Sequence, residues 1–79
     1  MITPGQCRAA RALLNLSQQQ LADAAGVSLR TVQGFERGDR VPQSLAMAAI
    51  MRFLEKKGIT LIMQPDCVGV KLKIENNPL

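Results

Sequence analysis

The chain has 79 residues, a formal net charge of +4 and no histidine. This length provides for one small domain with a single core, which excludes most enzymes, and the positive charge favours an anionic partner. The hydrophobic content of 47% is too high for a disordered segment, while the longest apolar run, residues 45–51, is too short to cross a membrane. Cys7 and Cys67 lie far apart in a chain without histidine, so we expect no metal, no cofactor and no catalytic site.

The N-terminal residues and the aromatic content narrow the class further. Residues 1–5 lack both the basic and the apolar region of a signal peptide, and we therefore expect a cytoplasmic protein. Two phenylalanines are the only aromatic residues. This argues against a module that stacks the bases of single-stranded RNA on exposed rings.

Two helices are indicated in the first third of the chain. Residues 6–14 are good helix formers, with side chains three and four positions apart on one face. Ser17 followed by Gln20 is a capping box, which predicts a second helix over residues 18–25. Gly26 is expected to end that helix with a positive φ.

A third helix follows after a turn of about three residues. Ser28 is expected to cap it, and it is predicted over residues 29–37. A fourth helix is predicted to begin at Pro42, where proline suits the first turn, and to run to about residue 57 before Gly58.

The fourth helix is apolar almost all round, which is more than one buried face requires. One side is expected to pack on the other helices. The other side, with Met47, Met51 and Leu54, is expected to meet the hairpin or a second subunit. The alternative is that the hairpin alone covers this side within a monomer.

Beyond Gly58 the apolar period changes to two. Residues 59–63 and residues 68–74 each place alternate apolar side chains on one face, around a turn at residues 64–67. This predicts a β-hairpin. An isolated hairpin is marginal in water, so we expect its apolar face, including Val70 and Leu72, to pack on the fourth helix or on a second copy.

The segment from the second to the third helix resembles a known family. Its residues read Ser17-Gln18-x-x-Leu21-Ala22-x-x-x-Gly26-Val27-Ser28-x-x-Thr31-Val32-x-x-Phe35-Glu36-x-Gly38. A small residue at the helix crossing, a glycine in the turn and an apolar plug under the second helix are what a helix-turn-helix needs. The pattern resembles the Cro/C1-type (XRE-like) helix-turn-helix family of bacterial and phage transcriptional regulators. The resemblance implies a mainly α, lambda-repressor-like domain of about four helices, here with a C-terminal β-hairpin.

The resemblance also implies an ion pair between the first and third helices. Arg11 and Glu36 stand at the positions where members of the family carry an Arg and a Glu that pair. The pair is expected to be structural. In the alternative, Arg11 contacts a DNA phosphate and leaves Glu36 without that partner.

The resemblance assigns the third helix as the one that enters the DNA major groove. Leu29, Arg30 and Gln33 are then the candidates for contact with bases, because Arg suits guanine, Gln suits adenine and Leu suits the thymine methyl group. Gly34 is expected beside them on the same face. Phosphate contact or simple solvation remains open for Arg30 and Gln33.

Five further residues are candidates for phosphate contacts, which position a protein on DNA without reading its sequence. They are Gln18, Thr31, Arg37, Arg40 and Arg8. Arg37 and Arg40 are alternatively part of a solvated loop, and Arg8 alternatively faces water.

The sequence therefore predicts a helix-turn-helix domain over residues 1–57, with the motif at residues 18–37, and a hairpin extension over residues 58–79. The expected function is sequence-specific binding of double-stranded DNA by a homodimeric, repressor-like regulator in the bacterial cytoplasm, associated with the nucleoid. Two alternatives are open: an antitoxin that binds DNA and a protein partner, and an interaction module that no longer reads DNA.

Overall fold

A computed structural model of the chain describes residues 1–74. The helices are α1 (Pro4–Leu14), α2 (Gln18–Ala25), α3 (Leu29–Glu36) and α4 (Ser44–Lys56), and the strands are β1 (Ile59–Gln64) and β2 (Cys67–Leu72). The mainly helical fold with a C-terminal hairpin agrees with the prediction. The composition of residues 76–79 predicts a frayed end, and these residues lie outside the described part of the chain. Within residues 1–74, no helix is both long and apolar enough to cross a membrane.

The helix ends around the α2–α3 turn are those that the capping residues predict. The Ser17 hydroxyl accepts a hydrogen bond from the Gln20 backbone N–H, and the Ser17 N–H donates to the Gln20 side chain at 2.8 Å. Gly26 ends α2 with a φ of 74°. The Ser28 hydroxyl caps α3 by accepting from the Thr31 N–H at 3.0 Å. Local hydrogen bonding thus determines both boundaries of the turn.

The start of α1 differs from the prediction. The helix begins at Pro4, two residues earlier than expected, because Thr3 and Gln6 form a second capping box. The Thr3 hydroxyl accepts from the Gln6 N–H at 3.1 Å, and the Gln6 side chain accepts from the Thr3 N–H at 2.9 Å. The same Ser/Thr-x-x-Gln signal that marks α2 was therefore present at α1.

The start of α4 differs in the other direction. Gln43 has an extended backbone with a ψ of 156° and α4 begins at Ser44, so Pro42 remains in the loop rather than in the first turn. Helix α3 ends at Glu36, one residue before the predicted end. The loop from residue 37 to residue 43 is consequently longer than the sequence indicates.

A single buried cluster joins the helices to the hairpin. It contains Ile2, Cys7, Ala10, Leu21, Ala22, Val32, Phe35, Met47, Ile50, Leu54 and Ile59. Two of the three α4 residues assigned to packing or dimer contact lie in this cluster, and Met51 packs against it partly buried. That side of α4 is therefore covered within the chain.

The hairpin has the expected alternation. Strands β1 and β2 are antiparallel, with Ile59 opposite Leu72, Leu61 opposite Val70 and residue 63 opposite residue 68. Because side chains alternate along a strand, these apolar residues share one face, as predicted. The end of that face at Ile59 lies in the core, whereas the end next to the turn is exposed.

A buried glutamine fastens α1 to the middle of the hairpin. The Gln6 side chain is 2% exposed, and its Nε2 donates to the carbonyl oxygens of Ile62 at 3.1 Å and Gly69 at 2.9 Å. The hydrogen bonds cross more than fifty residues of sequence. The hairpin is therefore held to the helices by polar contacts as well as by its apolar face.

Replacement of Gln6 by alanine is expected to lower the free energy of unfolding by about 1–3 kcal/mol, since two buried hydrogen bonds and half of a capping box are lost. The matched control is Gln20→Ala, which removes the corresponding half of the α2 capping box without any contact to the hairpin. Urea unfolding and amide hydrogen exchange of β1 and β2 measure both effects. Equal losses in the two variants, with unchanged exchange in the hairpin, would contradict the role given to Gln6.

Candidate nucleic-acid interface

The last residue of α3 carries a buried carboxylate. Glu36 is 2% exposed, and the Arg11 guanidinium of α1 meets it with two hydrogen bonds, 2.7 Å from Nη2 to Oε1 and 2.8 Å from Nε to Oε2. This bidentate geometry fixes the orientation of both side chains. The structure thus brings together the two residues that the sequence assigns to an ion pair.

Three further donors converge on Glu36. The Gln18 side-chain amide donates to Oε1 at 3.0 Å, and the Cys7 thiol donates to Oε2 at 3.2 Å. The Arg8 guanidinium donates to the Glu36 backbone carbonyl. Since these donors come from α1 and from the start of α2, the end of α3 is tied to both preceding helices. We call Glu36 and its four partners the Glu36 cluster.

The cluster keeps its central carboxylate ionised. Burial by itself would raise the pKa of Glu36, but the hydrogen bonds from Arg11, Gln18 and Cys7 outweigh it and hold that pKa below its ordinary value. The same contact raises the pKa of Arg11. At neutral pH the pair is therefore a fully charged one in a largely buried setting.

The helix pair α2–α3 has the small and apolar residues that a close crossing needs. Ala22 is fully buried, and its carbonyl accepts from the Val27 N–H at 3.0 Å across the turn. Val32 and Phe35 point into the core with exposures of 0% and 4%. The buried side of α3 is thereby fixed, and its other side faces outward.

The outward side of α3 differs among the three residues predicted to contact bases. Arg30 is exposed, Gln33 is half-buried, and Leu29 is half-buried against the core cluster. Only the part of the Leu29 side chain outside the core is therefore accessible for the predicted contact with a base.

Gly34 is not on the exposed face where the sequence places it. It is buried under the Arg40 side chain, and a Cβ at this position would lie 3.3 Å from Arg40 Cδ. The Gly34 carbonyl also accepts the backbone N–H groups of Asp39 at 2.9 Å and Arg40 at 3.3 Å. Because Gly34 has no side chain, the aliphatic part of the Arg40 side chain packs directly against α3 at this position.

Arg40 and the start of α3 border an open cleft of about 490 Å³. Its lining comprises Ser28, Arg30, Thr31, Arg40, Val41, Pro42, Gln43 and Ala46. Three residues predicted to contact DNA thus meet here: Arg30, Thr31 and Arg40. Within residues 1–74 neither arginine forms an ion pair, so two uncompensated cations flank the same cleft. Such a site attracts an anion.

A family model described as Helix-turn-helix matches residues 8–61 of the chain. The chain belongs to this helix-turn-helix family, of the Cro/C1 type. It is also 44% identical over 48 residues to the Type II methyltransferase M1.ScrFI of Lactococcus lactis subsp. cremoris. That match covers 57% of this chain and 12% of the methyltransferase, so the chain spans a small part of that relative's length. The family supports a DNA-binding helix-turn-helix regulator.

The remaining phosphate candidates of this helix-turn-helix protein make contacts within the chain. Gln18 and Arg8 belong to the Glu36 cluster, and Arg37 pairs with Asp39 at 2.8 Å on the surface. Exposed ion pairs contribute little free energy, so Arg37 can exchange Asp39 for a phosphate at low cost. The Gln18 side-chain amide has two N–H donors, so one can bond a phosphate while the other keeps its hydrogen bond to the buried carboxylate.

The two cysteines of the helix-turn-helix protein lie in different environments. Burial, reinforced by the hydrogen bond to Glu36, raises the pKa of the Cys7 thiol to about 12, whereas Cys67 is exposed on the hairpin. Because the thiolate is the reactive form, a thiol reagent at mildly alkaline pH is expected to label one site in the native chain and two in denaturant. Mass spectrometry gives the count, with Cys67→Ser as control. Native labelling of the Cys67→Ser variant would contradict the inert state of Cys7.

Proposed function

We propose that this helix-turn-helix protein is a repressor-like bacterial or phage regulator that binds a near-palindromic operator in double-stranded DNA as a homodimer. The carrying observation is the cleft beside the exposed face of α3, where Arg30, Thr31 and Arg40 converge. The proposal places the protein in the bacterial cytoplasm, where the DNA is.

In this proposal α3 enters the major groove and its side chains divide into two groups. Arg30 suits a two-pronged contact with guanine O6 and N7, and Gln33 suits adenine N6 and N7. Arg40 and Thr31 border the cleft and are suited to hold a phosphate of the adjoining backbone. The first group gives sequence preference and the second gives register and general affinity.

The homodimer follows from the size of the reading surface. One short helix contacts only a few base pairs, whereas two copies related by a two-fold axis read half-sites about 34–36 Å apart. A palindromic operator then mirrors the symmetry of the protein. The proposal takes from the methyltransferase only the shared 48-residue segment and assigns no methyl transfer to this chain.

Selection from a pool of random duplexes, followed by sequencing, tests the proposal. The expected result is one enriched motif with two inverted halves, bound with an affinity that falls steeply as salt rises. The same measurement with Lys56→Ala, which removes an exposed charge at the far end of α4, controls for net charge. A pool without an enriched motif would overturn the proposal and favour an interaction module.

A further inference from the structure

Strand β2 has an open edge. The Lys73 N–H donates to the Gly58 carbonyl at 3.0 Å. Because the direction of the backbone groups alternates along a strand, residues 71, 69 and 67 of β2 also point their N–H and C=O groups toward β1. The N–H and C=O groups of Val68, Val70 and Leu72 therefore point away from β1. Across the described residues 1–74, no backbone hydrogen bond links these groups to another element.

The opposite edge of the hairpin is blocked at one end. The outward backbone groups of β1 begin at Ile59, which is only 3% exposed and lies in the core. A further strand added along β1 would therefore be blocked at the position of Ile59. On β2, by contrast, Val68 is 57% exposed, and Val70 and Leu72 are half-buried. An unpaired edge with exposed apolar side chains is a template for another strand.

We propose that β2 pairs antiparallel with β2 of a second copy, with Val70 on the two-fold axis, so that the two hairpins form one four-stranded sheet. The inference rests on the homodimer of the proposed function and specifies its interface. Val68 then lies opposite Leu72 of the partner subunit, which covers a side chain that is exposed in the single chain.

The alternation along β2 restricts the possible registers. The axis of a symmetric antiparallel pair can pass through a hydrogen-bonded pair, with Val68, Val70 or Leu72 as its centre, or through a non-hydrogen-bonded pair, with Gly69 or Lys71 as its centre. The Lys73 N–H still bonds Gly58, so the paired segment runs from residue 67 to residue 73, and the centre at Val70 aligns all seven positions. Centres at residues 69 and 71 align five positions each, and centres at residues 68 and 72 align three each. The Val70 register therefore forms the longest ladder.

The lysines of the strand disfavour the registers centred near its C-terminal end. With Leu72 on the axis, Lys71 lies opposite Lys73 of the partner subunit, and like charges directly opposite each other are destabilising. With Val70 on the axis, Lys71 lies opposite Gly69 of the partner subunit, which has no side chain. Lysines that protect an edge against unspecific pairing thus disfavour the registers centred on Lys71 and Leu72, and the Val70 register is the longest of those without this repulsion.

A native cysteine provides a test of this register. In the Val70 register residue 73 lies opposite Cys67 of the partner subunit, in a non-hydrogen-bonded pair with Cα atoms about 4.5 Å apart, within disulfide range. Lys73→Cys is therefore expected to give a covalent dimer under mild oxidation. A bond within one chain is excluded because six residues of strand separate the two sulfur positions by about 20 Å.

The matched control is Lys71→Cys, which places its thiol diagonal to Cys67 of the partner subunit at about 7–8 Å and is expected to stay largely monomeric on a non-reducing gel. Both variants keep the same net charge, and Cys7 is buried. A covalent dimer of Lys73→Cys alone supports the register. No covalent dimer of Lys73→Cys, or equal crosslinking by both variants, would overturn it.

Sedimentation without DNA tests the edge itself. Val70→Pro removes an N–H that points away from β1, so it leaves the ladder within the hairpin intact but blocks a second strand. We expect a monomer for Val70→Pro and a dimer for Val70→Thr, which keeps the N–H, with hydrogen exchange confirming that both hairpins are folded. A dimeric Val70→Pro that dissociates only on Leu45→Lys, an exposed residue of α4, would move the interface elsewhere.

The crosslinking and sedimentation results are independent of DNA. If the selection experiment finds no motif while Lys73→Cys still crosslinks, the DNA-binding proposal is wrong but the β2–β2 interface is supported. If a palindromic motif is found while Val70→Pro remains a dimer, the β2–β2 interface is wrong but the proposal of a DNA-binding regulator is supported.

Discussion

Replacement of Arg11 by methionine is expected to lower the free energy of unfolding by about 3–5 kcal/mol at neutral pH, because a buried carboxylate loses its counter-ion. Glu36 would keep only the neutral donors Gln18 and Cys7 on its carboxylate oxygens. Methionine retains most of the apolar stem of the arginine, so loss of packing contributes little. For a domain of this size the expected loss is a large part of the total stability.

The contribution of Glu36 to stability is expected to change with pH in opposite directions in the native protein and in the Arg11→Met variant. In the native protein the pKa of Glu36 lies below its ordinary value, so this group stabilises the fold above the ordinary carboxyl pKa and less as pH falls through its own pKa. Without Arg11, burial dominates and raises the pKa of Glu36 above the ordinary value. The folded variant then takes up a proton before the unfolded chain does, so moderate acidification stabilises it. Urea unfolding should therefore show that the difference in free energy of unfolding between the native protein and the variant is smaller at about pH 5 than at neutral pH.

Two controls separate charge from packing in this experiment. Adding Glu36→Gln to Arg11→Met removes the buried charge and is expected to restore part of the stability and to abolish the pH effect. Arg37→Ala breaks an exposed ion pair with Asp39 and is expected to change stability by less than about 0.5 kcal/mol. If Arg11→Met costs no more than Arg37→Ala, the Glu36 cluster does not have the role described.

Replacement of Arg30 by alanine is expected to weaken binding to the selected operator by about 10- to 100-fold, the effect of losing a two-pronged base contact of about 1–3 kcal/mol. Binding to unrelated duplexes should change less, because the contact is made to a base. The profile recovered from random duplexes should lose its preference at one position in each half-site. Stability should stay nearly constant, since Arg30 is exposed.

Arg40→Ala should give the opposite pattern. The aliphatic part of the Arg40 side chain packs on Gly34 beside the cleft, and loss of a phosphate contact there should weaken binding to every duplex alike. The salt dependence should flatten by about 0.9 in the logarithmic slope, the amount for one released counter-ion. Fluorescence anisotropy over a series of salt concentrations measures both quantities.

Arg52→Ala is the matched control for this pair, because it removes the same charge from an exposed position on α4. It should leave the slope and the sequence profile unchanged. Identical behaviour of the Arg30 and Arg40 variants would contradict the division into base and phosphate contacts. An equal effect of Arg52→Ala would show that net charge alone accounts for the changes in DNA affinity.

The parts of the fold that could be predicted are those set by local chemistry. Ser17, Gly26 and Ser28 act on their own backbone neighbours, so the ends of α2 and the start of α3 follow from the sequence alone. The hairpin faces follow equally from the alternation of apolar residues. The predicted start of α1 was wrong, although Thr3 and Gln6 have the same capping-box pattern as Ser17 and Gln20.

The parts that could not be predicted depend on contacts between distant segments. A polar side chain such as Gln18 or Arg8 suits a phosphate in solution as well as a buried acceptor, and only the position of Glu36 decides which is within reach. Gly34 was expected to be exposed because nothing in its own helix reveals that Arg40 folds back over it. The contacts of Gln6 with the hairpin likewise depend on the packing of α1 against β2.

The separation of the Glu36 cluster from the outward side chains of α3 has a consequence for how this protein can diverge. Arg30 and Gln33 make no side-chain hydrogen bond within residues 1–74, and neither belongs to the cluster that holds α3 in place. In the proposed function, substitutions at these two positions alter the preferred operator while the contacts that hold α3 in place are kept. Under that proposal, new specificities are accessible by single substitutions, and α3 keeps its orientation throughout.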